Sequence, residues 1–309
     1  MVTIIKKLAV IAVCFLIIDQ AAGLFLDLCR DQSPDGRYYK TKHSLETSDE
    51  DVVIIGSSRG EMNYNPFVIE DSLKVTAWNA SRGGQGLPYF HAIQNGILNR
   101  YVPKIVILNI EGSMLEHRRF LAEAGFLRPF YQGHPEIQPI LNEISYFEKF
   151  YNRLRLFSYN SSYYYLLRPY LIKGLDGRRE DKGWKPRDGR IHEIFLRDTT
   201  EIVKDTEPLN EGAVAEFEHI AKTFKEKGSR LFIVVSPNYQ IYEDNTPTIN
   251  YLRNFAKSNQ IPLLIHSNDT TMIRNPDFFI DPDHLNRQGS TYFTKKLIGE
   301  IRPLLTASL

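Results

Sequence analysis

Asp51-Val52-Val53-Ile54-Ile55 is a short apolar run that ends in Gly56-Ser57-Ser58, with Arg59 next. The run is too short for a helix and suits a strand buried on both faces. Four more such runs follow: Lys74-Val-Thr-Ala-Trp-Asn79, Lys104-Ile-Val-Ile-Leu-Asn109, Leu231-Phe-Ile-Val-Val235 and Pro262-Leu-Leu-Ile265. Helical patterns lie between them. Residues 86–101 carry Phe90, Ile93, Ile97 and Leu98, and residues 211–227 carry Val214, Phe217, Ile220, Ala221 and Phe224 before Gly228 as a stop. Thr246-Pro247 reads as an N-cap followed by proline at the first helical position. Asn286 reads as the cap of a last helix carrying Phe293, Leu297, Ile298 and Ile301. This alternation predicts an α/β fold: a five-stranded parallel sheet in the order 2-1-3-4-5 with helices on both faces.

The chain has 309 residues, with 38 basic against 37 acidic side chains and a net charge of +1. That length holds a core without disulfide or metal staples. The balanced charge argues against a nucleic-acid partner and against an acidic disordered chain. Cys14 and Cys29 both lie near the start, so a disulfide framework and a Cys-based zinc site in the body are excluded. His91, His117, His134, His192, His219 and His266 lack metal-ligand spacing, and no metal site is expected.

Lys6 and Lys7 precede the apolar run Leu8-Ala-Val-Ile-Ala-Val-Cys-Phe-Leu-Ile-Ile18, and after Asp19 and Gln20 the apolar character resumes through Leu28. Counted to Leu28 this is about 21 residues, enough to cross ~30 Å of hydrocarbon. Residues 1–28 are expected to be a signal anchor or transmembrane helix; the other reading is a cleaved signal peptide with Ala21-Ala22-Gly23 as the site. Residues 29–50 are polar and read as a linker, with the body over 51–309 outside the cytoplasm. The body's rhythm breaks at about 113–205. That stretch reads as a helical insertion rich in aromatics, including Tyr146, Phe147, Phe150, Tyr163, Tyr164 and Tyr165, followed by a polar loop over 174–189. The aromatics form either the insertion's own core or a sugar-stacking surface.

In an open parallel sheet, ligands bind beyond the carboxyl ends of the strands. The first strand delivers Gly56-Ser57-Ser58-Arg59 there. The second delivers Asn79-Ala-Ser-Arg-Gly83-Gly84, and the third Asn109-Ile-Glu111-Gly-Ser113. Asp281-Pro-Asp283-His284-Leu-Asn286 comes before the last helix. A serine hydroxyl is a weak nucleophile until a base takes its proton, and His284 is of the right type. Asp281, three residues earlier, can orient the imidazole. Glycine at 83 or 84 lets the main chain aim an N–H at a developing oxyanion. Ser57 competes with Ser58 for the nucleophile's role; Ser58 is preferred because it holds the third place of Gly-x-Ser. Arg59 and Arg82 are candidates either to bind an anionic substrate or to form salt bridges across the site mouth.

The joint order of Gly-x-Ser after the first strand, Asn…Gly after the second and Asp-x-x-His-Leu-Asn-x-x-Gly before the last helix resembles the SGNH hydrolases, also called the GDSL family. The likeness covers about residues 51–302 outside the insertion. It looks closest to a membrane-anchored branch of bacterial envelopes that reads Gly-Ser-Ser-Arg in its first block. The resemblance implies a three-layer flavodoxin-like (SGNH) fold and a serine esterase or O-acyltransferase. It implies Ser58 as nucleophile, His284 as base and Asp281 as the third member. Ser58, Gly84, Gly83 as its alternate, and Asn109 become the candidate oxyanion donors. The implied substrate is an ester-bearing small molecule or surface polysaccharide, with no cofactor. The implied location is the bacterial inner membrane, single-pass, with the body facing the periplasm or exterior. The third block departs from the family's Gly-x-Asn-Asp. Glu111 stands where the family has an asparagine amide, so Asn109 or Ser113 serves instead, or the hole has two donors. The alternative is a catalytically degenerate SGNH-like module that binds or organises glycan during export.

Overall fold

The computed structural model describes residues 1–116, 122–160, 162–196, 202 and 207–306. Five strands form one sheet: β1 Val52–Ile55, β2 Ala77–Asn79, β3 Ile105–Asn109, β4 Arg230–Val235 and β5 Leu263–Ile265. The order is β2-β1-β3-β4-β5 and every pairing is parallel, as the alternation predicts. Strand side chains point alternately to opposite faces. Val53, Ile55, Val106, Leu108, Ile233 and Val235 therefore share one face, and Val52, Ile54, Ile105, Ile107, Phe232 and Val234 the other.

The chain begins with α1 Val2–Asp31, a single helix of 30 residues, and α2 Gly36–Lys42. After β1 come α3 Ser58–Asn63 and α4 Pro66–Leu73, and after β2 comes α5 Leu87–Leu98. Among the described residues the β3–β4 crossover holds four short α-helices: α6 Gln138–Asn142, α7 Glu148–Tyr151, α8 Arg155–Ser158 and α9 Tyr163–Leu171. It ends in α10 Glu211–Glu226; α11 Pro247–Asn259 and α12 Arg287–Thr306 follow. Phe90 and Ile93 of α5, Phe217 and Phe224 of α10 and Leu252 of α11 cover the first face. Ile69 of α4 and Phe293, Leu297 and Ile301 of α12 cover the second. The result is three layers. The caps fall where the sequence places them: Thr246 Oγ1 accepts the Ile249 N–H at 3.2 Å, and Asn286 Oδ1 accepts that of Gly289 at 2.9 Å. The second strand is shorter than its apolar run. Lys74 ends α4 in the left-handed conformation, φ 58°, and pairing starts only at Ala77.

Residues 29–50 depart from the expected linker. They fold into α2 and a π turn, His43–Thr47, and bury Tyr38, Lys40, Thr41, Ser44 and Leu45. Several of their polar groups take part in hydrogen bonds within the protein. Trp78 Nε1 donates to Ser44 Oγ at 2.8 Å, and the Arg100 guanidinium donates to the carbonyls of Ser44 and Ser48.

The last third of α1 packs on the insertion. Asp19, 1% exposed, accepts the N–H groups of Arg155 (3.0 Å) and Leu156 (3.1 Å), closing the open N-terminus of α8. A side chain at Gly23 would strike Arg155, whose Cβ is 2.1 Å from where a Cβ would stand. Asp27 accepts from Tyr159 at 2.6 Å, and Tyr170 donates to the Cys29 carbonyl at 2.6 Å. Among the described residues α1 is the one helix long and apolar enough to cross a membrane, with a mean hydropathy of 2.3. The insertion's aromatics divide: Tyr159 is wholly buried, while Tyr146, Phe147, Phe150 and Tyr164 are exposed. The polar loop beyond them returns to the sheet. Gly183, at φ +76°, sits so close to the Asn79 carbonyl that a Cβ would be 2.0 Å from its oxygen, and Trp184 donates to the Met62 carbonyl at 2.8 Å. Residues 117–121, His117 among them, 161, 197–201 and 203–205 of the expected insertion lie outside the described residues.

Candidate active site

β1 ends at Ile55, and the chain turns through Gly56 and Ser57 into α3 with Ser58 as its first residue. Gly56 is a close-approach position, because a Cβ there would stand 2.9 Å from that of Asn109 and 3.0 Å from the Gly60 Cα. The tight turn sets Ser58 at the carboxyl edge of the sheet. There Ser58 Oγ lies 2.8 Å from His284 Nε2. Ser57 points elsewhere and donates to Glu111 Oε1.

His284 is held on its other side. Its Nδ1 lies 2.8 and 2.9 Å from the two oxygens of Asp281, whose Oδ1 also takes the N–H groups of Asp283 (2.9 Å) and His284 itself (3.0 Å). Burial alone would raise the Asp281 pKa. The His284 ring and these N–H groups outweigh it and hold the carboxyl below the usual range. An ionised carboxylate only accepts, so Nδ1 carries a proton, and in the neutral ring Nε2 is the acceptor that faces the Ser58 hydroxyl. The loop is tied to the serine's helix, since Leu285 N–H donates to Asn63 Oδ1 at 2.9 Å.

The candidate oxyanion donors fare differently. Gly83 donates its N–H to Glu61 Oε2 at 3.0 Å, so that N–H is already engaged. The N–H groups of Ser58 and Gly84 have no acceptor among the described residues. Gly84 is at φ +72°, a conformation that disfavours any side chain. Asn109 is wholly buried beneath the turn; its Oδ1 accepts from Tyr64 at 2.6 Å, and its Nδ2 has no partner among the described residues. Both arginines are buried, and neither forms a salt bridge among the described residues. Arg59 is buried and donates to the carbonyls of Ser236 and Pro237, fixing the end of β4 to α3. Arg82 is 2% exposed, over the rings of Phe126 and Tyr89. Glu111 is drawn into the site, where burial raises its pKa; Arg59 and His284 oppose the rise and Asp283 adds to it.

Two residues absent from the sequence reading shape the site. Lys40 of α2 donates to Glu61 Oε1 at 3.0 Å, and both side chains are buried. The second Glu61 oxygen holds the Gly83 N–H, so one carboxylate joins α2, α3 and the glycine loop after β2. Burial pulls Lys40 down to about 8, with Glu61 opposing. Burial would raise Glu61, but Lys40, Lys185 and the Gly83 N–H more than offset it. Glu61 stands one helical turn after Ser58, a spacing visible in the sequence; nothing local marks Lys40 as its partner.

No protein-family model matches the chain, and a search of curated proteins finds no match. Solved structures include a similar chain from Bacteroides fragilis, provisionally assigned as an acylhydrolase. It is 13% identical, the match covers 84% of this chain and 94% of that one, and the TM-score is 0.38.

Proposed function

We propose that this protein is a membrane-anchored serine esterase or O-acyltransferase of the SGNH type, its body outside the cytoplasm. One observation carries the reading: the unbroken hydrogen-bonded line from Ser58 Oγ through the His284 ring to Asp281. His284 Nε2 takes the Ser58 proton as Oγ attacks the ester carbonyl. The C=O electron pair moves onto oxygen, which the Ser58 and Gly84 N–H groups receive. On collapse, the C–O bond to the alcohol breaks and His284 returns the proton to that alcohol. The acyl-serine then passes its acyl group to water, or to a second hydroxyl, by the same steps in reverse. Asp281 orients the ring and balances its transient positive charge. The motif resemblance favours an acetyl ester of a cell-surface polysaccharide as substrate. The anchor is α1, by its length and apolarity.

The test is labelling by a fluorophosphonate in native membranes. Wild type should label and Ser58→Ala should not. A wild type that neither labels nor hydrolyses a small acetyl ester overturns the enzyme reading. One observation favours the second reading, a glycan-binding module without turnover. Glu111 occupies the third-block position and takes the Ser57 hydroxyl, so the donor expected from that block is replaced by a carboxyl. Glycan binding undiminished in Ser58→Ala, with no labelling, would select it.

A further inference from the structure

The contacts along α1 rank the insertion by depth. Gln20 donates to the Arg153 carbonyl, Asp19 caps α8 through Arg155 and Leu156, and Gly23 abuts Arg155. Higher up, Asp27 meets Tyr159 and Cys29 meets Tyr170. The corner between α7 and α8 is therefore the part of the body nearest the apolar half of α1. At 1.5 Å per residue, Lys7 to Ile18 rises only about 17 Å, well short of ~30 Å of hydrocarbon. A span that starts at the two lysines has to continue past Asp19, where the α7–α8 corner is already attached.

The corner's surface matches that position. Tyr146 is 76% and Phe147 52% exposed, with Phe150 beside them; higher up, next to Tyr170, Leu171 at the end of α9 is 83% exposed. Lys149 lies over the rings of Tyr146 and Phe150, Arg153 over Phe150 and Arg168 over Tyr164. Aromatic rings paired with long cations are the composition of a membrane–water boundary, where the rings sit at headgroup level and the cations reach toward phosphate. A chain whose exposed rings served only as the insertion's own core would turn them inward.

We propose that residues 146–172 form a collar that enters the outer leaflet beside α1, so that the body is seated on the bilayer and not merely tethered to it. Its partner is the lipid surface itself. The collar also shields Asp19 from hydrocarbon, which is why a carboxylate is tolerated within the apolar stretch. This inference rests on the reading of α1 as a membrane anchor.

The test uses the full-length protein in nanodiscs that contain phosphatidylcholine with a diazirine in its acyl tail. After irradiation, adducts are mapped by peptide mass. Adducts on α1 and on peptides within 146–172 are expected. Adducts on α1 with none in 146–172 overturn the collar and leave the anchor standing. Adducts on neither overturn the anchor and the collar with it. The Phe147→Ser/Phe150→Ser variant should lose adducts in 146–172 and keep those on α1, with hydrolysis of a soluble ester unchanged. Adducts in 146–172 undiminished in that variant would also overturn the collar.

Discussion

Ser58, His284 and Asp281 act as one unit in the proposed reaction, so their losses should not add. Ser58→Ala and His284→Ala should each lower hydrolysis of a small acetyl ester by at least ~10³-fold, and the double variant should be no worse than either. Asp281→Ala should cost less, since that residue orients rather than reacts. Steady-state rates on the purified full chain decide this. Glu111 gives a second, pH-dependent expectation. Burial raises its carboxyl above the ordinary 4.5, so the folded chain holds that proton more tightly than the unfolded one. The stabilisation is complete below the unfolded value and fades as pH rises through the folded one. Glu111→Gln, which cannot ionise, should therefore raise Tm more at pH 8 than at pH 4. A larger gain at pH 4 would mean the carboxyl is not held protonated. Glu111→Asn should leave turnover unchanged or raise it. The serine, histidine and aspartate are legible in sequence because each directly follows a strand or precedes a helix in a fixed order. The fate of Gly83 is not, because the carboxylate that takes its N–H comes from 22 residues away, across a tertiary contact.

Among the elements, α2 bears most directly on the site. Lys40→Met would remove the cation hydrogen-bonded to the buried Glu61 and leave only Lys185 near it, a change that costs up to about 3–5 kcal/mol in comparable buried pairs. Denaturant unfolding should show that loss, and Lys40→Met/Glu61→Leu should recover part of it. If the double variant is as unstable as the single, the pair is not what fixes α2. The same segment shows what sequence reading lacks. Runs such as Val52–Ile55 announce themselves by β-branching, and Thr246 and Asn286 by capping chemistry. Residues 36–48 look like a linker because they are polar, yet Lys40 and Ser44 find partners at Glu61 and Trp78 that only the folded chain brings near. Composition records polarity and cannot record whether water or protein satisfies it.

For the whole molecule, the docking of α1 sets where the chain can be cut. A body beginning at Asp19 keeps the α8 cap and the Leu26 contact, whereas one beginning at Cys29 loses both and uncovers the insertion's inner face. Leu26 alone is worth about 2 kcal/mol of buried surface. The shorter form should unfold at the lower temperature and aggregate more readily. Equal Tm values for the two forms would show that the last third of α1 contributes nothing to the body. The layered architecture is readable from the strand–helix alternation, but this attachment is not. It joins residues more than 130 positions apart through one aspartate in an otherwise apolar helix.

That aspartate also imposes an order of events during synthesis. In the anchored form, α1 leaves the ribosome well before the insertion, and its Asp19 then has the Gln20 amide beside it but not the α8 N–H groups. The N–H groups that receive it belong to residues 136 and 137 positions later. At ~5–20 residues per second, they follow after roughly 7–27 s. Through that interval the nascent helix carries a carboxylate not yet capped by α8, and it should hold its place in a bilayer less firmly. Completion of the insertion locks it there. If α1 is the anchor, its secure lodging therefore waits on α8, near the middle of the chain, and a chain whose insertion misfolds should be extracted from the membrane more readily.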